Sequence, residues 1–204
     1  MVKFFFTAIL VVACASIGFA QSNDYKKVEF YGGYSHNRVD TGIDDFDPAL
    51  SDIVNEREGF HGFNSSITGN ITRYVGLKFD VAGHFKKKSF GFSAFSVDVD
   101  SSLFNALGGV QVKDNASGST FKPFAHALVG VARARNKTTF SGTCVACPNF
   151  TETDTGLAGA IGGGLDIRLN NKLDIRAFQV DYNPTRVFDA TQHNFRFGVG
   201  IVIH

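Results

Sequence analysis

The feature that most constrains this chain is a repeated period of two. Eight segments alternate apolar side chains with polar or small ones, each for about ten to thirteen residues. Successive side chains of a strand point to opposite faces, so each segment carries one apolar and one polar face. Residues 74–86 are the plainest case: Val75, Leu77, Phe79, Val81 and Phe85 alternate with Tyr74, Lys78, Asp80, His84 and Lys86. Residues 157–169 and 193–203 repeat it, the latter with Phe195, Phe197, Val199, Ile201 and Ile203 against Asn194, Arg196, Gly198 and Gly200. Residues 27–37, 59–69, 102–112 and 122–135 follow the same rule. Residues 172–182 set Leu173 and Ile175 opposite Asp174 and Arg176, then change phase near Ala177-Phe178, the mark of a β-bulge. No helical apolar period is sustained anywhere.

Strands of soluble domains run to about 5–6 residues, whereas a tilted membrane strand needs roughly 9–11. The segment lengths therefore point to lipid. Short connections at 70–73, 114–120 and 170–171 alternate with longer ones at 38–57, 87–101, 136–156 and 183–192. That rhythm belongs to an up-and-down barrel with both termini on the periplasmic side. Pro48, Pro148 and Pro184 fall in the long connections and Pro123 at a strand start, so none removes a ladder hydrogen bond from a strand interior. Hydrocarbon offers no partner to an open strand edge, so strands that cross it must close. The fold expected is all-β: an eight-stranded antiparallel up-and-down transmembrane β-barrel.

In such a barrel the polar face turns inward. The residues expected to form a paired interior charge network are Glu29, Lys78, Asp80, Arg133, Asp166, Arg168, Asp174, Arg176 and Arg196, with both signs in similar numbers. A soluble lipocalin-like barrel would show the same alternation with its faces exchanged. Its outer face would be rich in lysine and glutamate, whereas the polar face here mixes glycine, alanine, asparagine and arginine. The 22 phenylalanines also ask for more apolar surroundings than a small soluble core provides. Tryptophan is absent, so Tyr31, Tyr34, Tyr74 and Tyr182, with phenylalanine, are expected to form the interfacial girdles.

At the N-terminus, Lys3, the apolar run Phe4 to Ala13 and Gly18-Phe19-Ala20 before Gln21 have the layout of a secretory signal peptide. Residues 1–20 are read as a cleaved signal peptide and 21–204 as the barrel domain. A competing reading takes Val11-Val12-Ala13-Cys14 as a lipobox. The formal net charge of +1 gives no argument for nucleic acid.

Several segments together resemble the outer-membrane β-barrel domain family, the group around the OmpA-type transmembrane domain and porin-like small barrels. They are Val28 to Tyr34 (VEFYGGY), Gly62 to Phe85, Lys122 to Ala134, Gly162 to Asn170 and Ile175 to Tyr182, within 28–204. The resemblance implies a bacterial outer-membrane location, eight strands, contact with outer-membrane lipid and insertion by the barrel-assembly machinery. Its motifs are compositional and periodic and say little about activity. Such barrels often end in phenylalanine, whereas this sequence ends Ile201-Val202-Ile203-His204.

Cys144 and Cys147 are read as a local disulfide in the third long loop, since neither a redox context nor further zinc ligands accompany them. Asp44, Asp45 and Asp47 are read as a solvated acidic loop rather than a calcium site, and the histidines show no metal spacing. The glycines of 156–164 lack the Gly-Lys-Ser/Thr ending of a phosphate loop. No cofactor and no catalysis are expected; a lipid-modifying enzyme would have to use His61, His126 and nearby serines. The expected function is that of a structural or surface-interaction barrel whose loops meet an unidentified partner, with a narrow passive channel as the alternative.

Overall fold

The structure, a computed structural model, describes residues 25–40, 57–91, 95–116, 118–142 and 148–204. The signal-peptide and lipobox readings, Asp44, Asp45 and Asp47, and the Cys144–Cys147 pair lie outside them. Eight strands follow one another: β1 (Val28–Asp40), β2 (Arg57–Asn70), β3 (Val75–Gly91), β4 (Phe95–Lys113), β5 (Phe121–Gly142), β6 (Phe150–Arg168), β7 (Leu173–Val187) and β8 (Ala190–Ile203). Each pairs antiparallel with the next, and β1 pairs with β8 to close the barrel. No helix among the described residues is long and apolar enough to cross a membrane.

The apolar faces point outward. Leu77, Phe79, Val129, Leu157, Ile161, Val199, Ile201 and Ile203 are all exposed, and Leu157 reaches 68%. Leaving a large apolar side chain in water forfeits about 1.5–3 kcal/mol. Repeated around the barrel, that cost exceeds the 5–15 kcal/mol by which a typical domain is stable. Lipid is the solvent that removes it, and the soluble alternative, which needs this face inside, is excluded.

The anticipated phase change is a bulge. The β7–β8 register shifts between Arg176 and Gln179, and the β6–β7 register shifts at Leu165/Asp166. The extra residue returns Phe178 to the lipid face and Gln179 and Asp181 to the lumen.

Two expectations need correction. The connections at 87–101, 136–156 and 183–192 are largely strand. β3 to β6 run for 17, 19, 22 and 19 residues, against 13 to 15 in the other four. These four strands rise together as a wall on one side of the barrel. At the other hairpin, β7 and β8 meet through Phe188 and Asp189, both with positive φ (53° and 57°), the geometry of a two-residue primed turn. The second correction concerns Tyr31, which is 3% exposed and lies inside the barrel, leaving Tyr34, Tyr74 and Tyr182 outside. Its ring lies beside Gly33, Gly198 and Gly200; a Cβ on Gly200 would come within 2.8 Å of the ring.

Candidate functional site

An eight-stranded barrel has an interior just wide enough for side chains to fill, so the lumen is where function is allowed or refused. Near the short-turn ends it holds two sets of ions. Lys113 donates to Glu29 (2.9 Å) and to Asp166 (2.8 Å). Arg176 grips Asp166 with two nitrogens (2.8 and 3.1 Å), and its guanidinium lies 4.1 Å from the ring centres of both Tyr31 and Phe124. Lys122 donates to Asp174 (2.9 Å), which His204 Nε2 also approaches at 2.8 Å.

One amide, Gln179, leads upward. Arg176 donates to Gln179 (2.7 Å), and Gln179 donates to Asp181 (2.6 Å). Arg196 then lies between Asp181 and Asp80, 2.7 and 2.8 Å away. Asn64 donates to Asp80 (2.9 Å), and His126 Nε2 stands 3.0 Å from Asp181. Lys78 Nζ is 3.4 Å from His126 Nδ1. Carboxylates and cations alternate through most of the network, the condition for tolerating ions at such depth; Lys78, which meets His126, has no carboxylate within ion-pair distance among the described residues.

Toward the long-connection ends the lumen changes character. Val39, Phe60, Leu103, Leu107, Leu128, Ala132, Ala134, Ala158, Ala160 and Val187 form one buried apolar cluster. Beyond it, at the outer mouth, Lys86 and Lys88 converge on Glu58.

The structure thus brings Glu29, Lys78, Asp80, Asp166, Asp174, Arg176 and Arg196 into the lumen, all buried. Arg133 is a correction: it is exposed on the outer face, in phase with Val129 and Val131. Arg168 is a second one. It is half-buried at the short-turn rim and donates to Asn171 at 3.2 Å, outside the buried network. Sequence reading missed Lys113, Lys122, Gln179, Asp181 and His204. Lys113 shares strand parity with Asn105 and Gln111, and Lys122 with His126, so that signal was present; Asp181 has the parity opposite to Asp174 and Arg176. The position of Asp181 depended on placing the bulge.

Among the described residues, no group of three or more histidine, cysteine, aspartate or glutamate side chains could hold a metal. His61 and His126 do not meet. His61 lies on the outer face beside Tyr34 (Oη to Nδ1 2.5 Å), while His126 is inside. Ser35 contacts His84 (2.8 Å), but both are completely buried.

The profile of the family described as outer membrane protein beta-barrel domain matches residues 6–202. Among solved structures, the chain resembles Ail, the attachment invasion locus protein of Yersinia pestis, solved in complex with the heparin analogue sucrose octasulfate. The TM-score is 0.59 at 15% identity, covering 86% of this chain and 97% of that one. A second Ail structure gives a TM-score of 0.56 at 16% identity, covering 87% and 99%. OprG from Pseudomonas aeruginosa gives 0.46 at 12% identity, covering 89% and 96%. No curated protein matches the sequence. With strand order, closure, outward apolar face and profile in agreement, the chain belongs to the outer-membrane β-barrel domain family, whose barrels reside in the bacterial outer membrane.

Proposed function

We propose that this protein is a non-conducting, non-catalytic outer-membrane barrel that presents its outer end to a partner outside the cell. The observation that carries the reading is the filled lumen. An ion network fills one part and an apolar cluster the other, which supports a lumen closed to steady ion flow. The β3–β6 wall, which continues beyond the length a membrane requires, supplies the surface for such contact. Ail shares the architecture and was crystallised with a heparin analogue, which supports the view that barrels of this size can bind at their surfaces. In this reading, residues 1–20 direct export and the barrel-assembly machinery inserts the product.

The test is single-channel recording of purified protein in planar bilayers. The expected result is a silent trace. Steady openings that disappear in Arg176→Leu or Arg196→Leu would overturn the reading in favour of a narrow channel. Binding of the protein to a surface or polyanion, lost when residues 86–101 are shortened, would support the interaction role.

A further inference from the structure

The outer face of β5 changes sharply. Phe121, Pro123, Ala125, Ala127, Val129 and Val131 point outward in sequence and are exposed; the next outward residues are Arg133, Arg135 and Lys137, also exposed. Ten strand steps separate Phe121 from Val131. At about 3.3 Å per step and a tilt near 40°, they climb about 25 Å, the height of the apolar band of a membrane barrel. Arg133 therefore stands at the edge of the hydrocarbon, on the side opposite the termini.

The register places the neighbours. Arg133 lies across from Phe104 on β4, Arg135 across from Ser102, and Lys137 across from Asp100. One strand further, Phe85 pairs with Ser102 and Lys87 with Asp100. Phe85 and Phe104 pack edge to face, centroids 5.4 Å apart, directly below the charges. On β6 the same rows continue as Thr155, Thr153 and Thr151. A shallow depression is lined by Phe85, Lys87, Asp100, Ser102, Arg135 and Lys137. Lys87 has one anionic contact, Asp100 at 3.3 Å, and its side chain is 84% exposed. Among the described residues, no hydrogen bond or ion pair engages the side chain of Arg133, Arg135 or Lys137.

We propose that this face is a docking site for the phosphorylated headgroup of an outer-leaflet lipid. A phosphate set among Lys87, Arg135 and Lys137 would meet charge-assisted donors, and the arginine fork matches phosphate oxygens in pairs. The hydroxyls of Ser102, Thr151 and Thr153 border the same rows and suit a sugar-bearing headgroup. Acyl chains would continue down over Phe85, Phe104, Val131 and Leu157, all exposed. Position favours a lipid over a soluble polyanion. The cations face sideways and begin one residue above the lipid-facing band, where a headgroup already sits. The proposal is independent of what the outer end contacts, and a conducting barrel would carry it equally well.

The test uses the full-length protein in phosphatidylcholine nanodiscs. These carry a small fraction of either a bisphosphorylated glucosamine lipid or the same lipid stripped of phosphate. Lipid retained per barrel after mild detergent release is read by native mass spectrometry. The phosphorylated lipid should be retained about tenfold more, equivalent to about 1.4 kcal/mol. The triple variant R133Q/R135Q/K137Q should erase the difference, and R133K/R135K/K137R should largely keep it. Equal retention of the two lipids by the unmodified protein would overturn the proposal without recourse to any variant. So would a preference that survives in the glutamine variant. Full displacement by millimolar inorganic phosphate would reduce the face to a general anion site. Displacement by a soluble sulfated polysaccharide at lower concentration than the lipid would reassign the occupant.

Discussion

The two parts of the lumen solve the same problem by opposite chemistry. Near the short turns the interior is filled by ions: Asp166, for example, is shared by Lys113 and Arg176 with no exposure to solvent. Near the outer end it is filled by leucine, alanine and phenylalanine packed as in a soluble core. An apolar filling is tolerant, because a truncated leucine leaves a cavity whose cost is limited to lost contacts and the void itself. An ionic filling is not. Removing one member strands its partner in a place that water reaches poorly, and that penalty exceeds the worth of the pair. The charged part therefore holds a unique arrangement, while the apolar part mainly occludes.

Substitutions should separate the two regimes. Arg196→Met leaves Asp80 and Asp181 facing one another without their shared cation, and should cost about 3–5 kcal/mol. The measurement is urea unfolding in lipid vesicles, followed by loss of heat-modifiable gel migration. A cost below that of a leucine truncation would break the comparison. Leu107→Ala, completely buried in the apolar cluster, should cost about 3 kcal/mol by the same measurement, within the range for cavity-forming changes. Glu29→Gln is milder, since Lys113 keeps Asp166. A loss of about 1–2 kcal/mol is expected, the scale of a charged hydrogen bond, and a loss as large as that of Arg196→Met would show that the ions act as one indivisible unit.

The smallest effect belongs to a pair outside both parts. In the β4–β5 turn, Asp114 receives two hydrogen bonds from Arg73, at 2.8 and 3.0 Å. These bonds hold its carboxyl down at about 2, against an ordinary 3.8. A depressed acid contributes stability that is full above about pH 4 and is lost as pH falls through 2. Both side chains are about a third or more exposed (33% and 44%), so Asp114→Asn should cost under about 1 kcal/mol at neutral pH. The difference between variant and parent in urea midpoint should shrink toward zero on acidification.

Alternation was enough to read strand number, order and the direction of each face, because a barrel in lipid repeats one rule around its circumference. Strand length was not legible, for a physical reason. Above the membrane both faces of β3 to β6 meet water, so Lys86 to Ser89 and Asp98 to Ser102 lose the apolar alternation while the hydrogen-bonded ladder continues. The same boundary misplaced Arg133. It shares the parity of Val129 and Val131 and was assigned inward on chemistry, although parity alone set it outside. Leu103, Leu107 and Leu128 share the parity of inward polar residues such as Asn105 and His126. Nothing in a period of two distinguishes an ionic filling from an apolar one.

The long reach of the interior bonds bears on how such a chain is born. Arg196 meets Asp80 across 116 positions of sequence, and Lys113 meets Glu29 across 84. Neither contact exists until distant strands face each other, so a partly assembled sheet would turn Asp80, Glu29 and Lys113 toward hydrocarbon without these partners. Crossing the membrane step by step, one hairpin at a time, is thereby disfavoured. The seam between β1 and β8 must be made as the sheet enters the lipid, so for this barrel closure and insertion are one event.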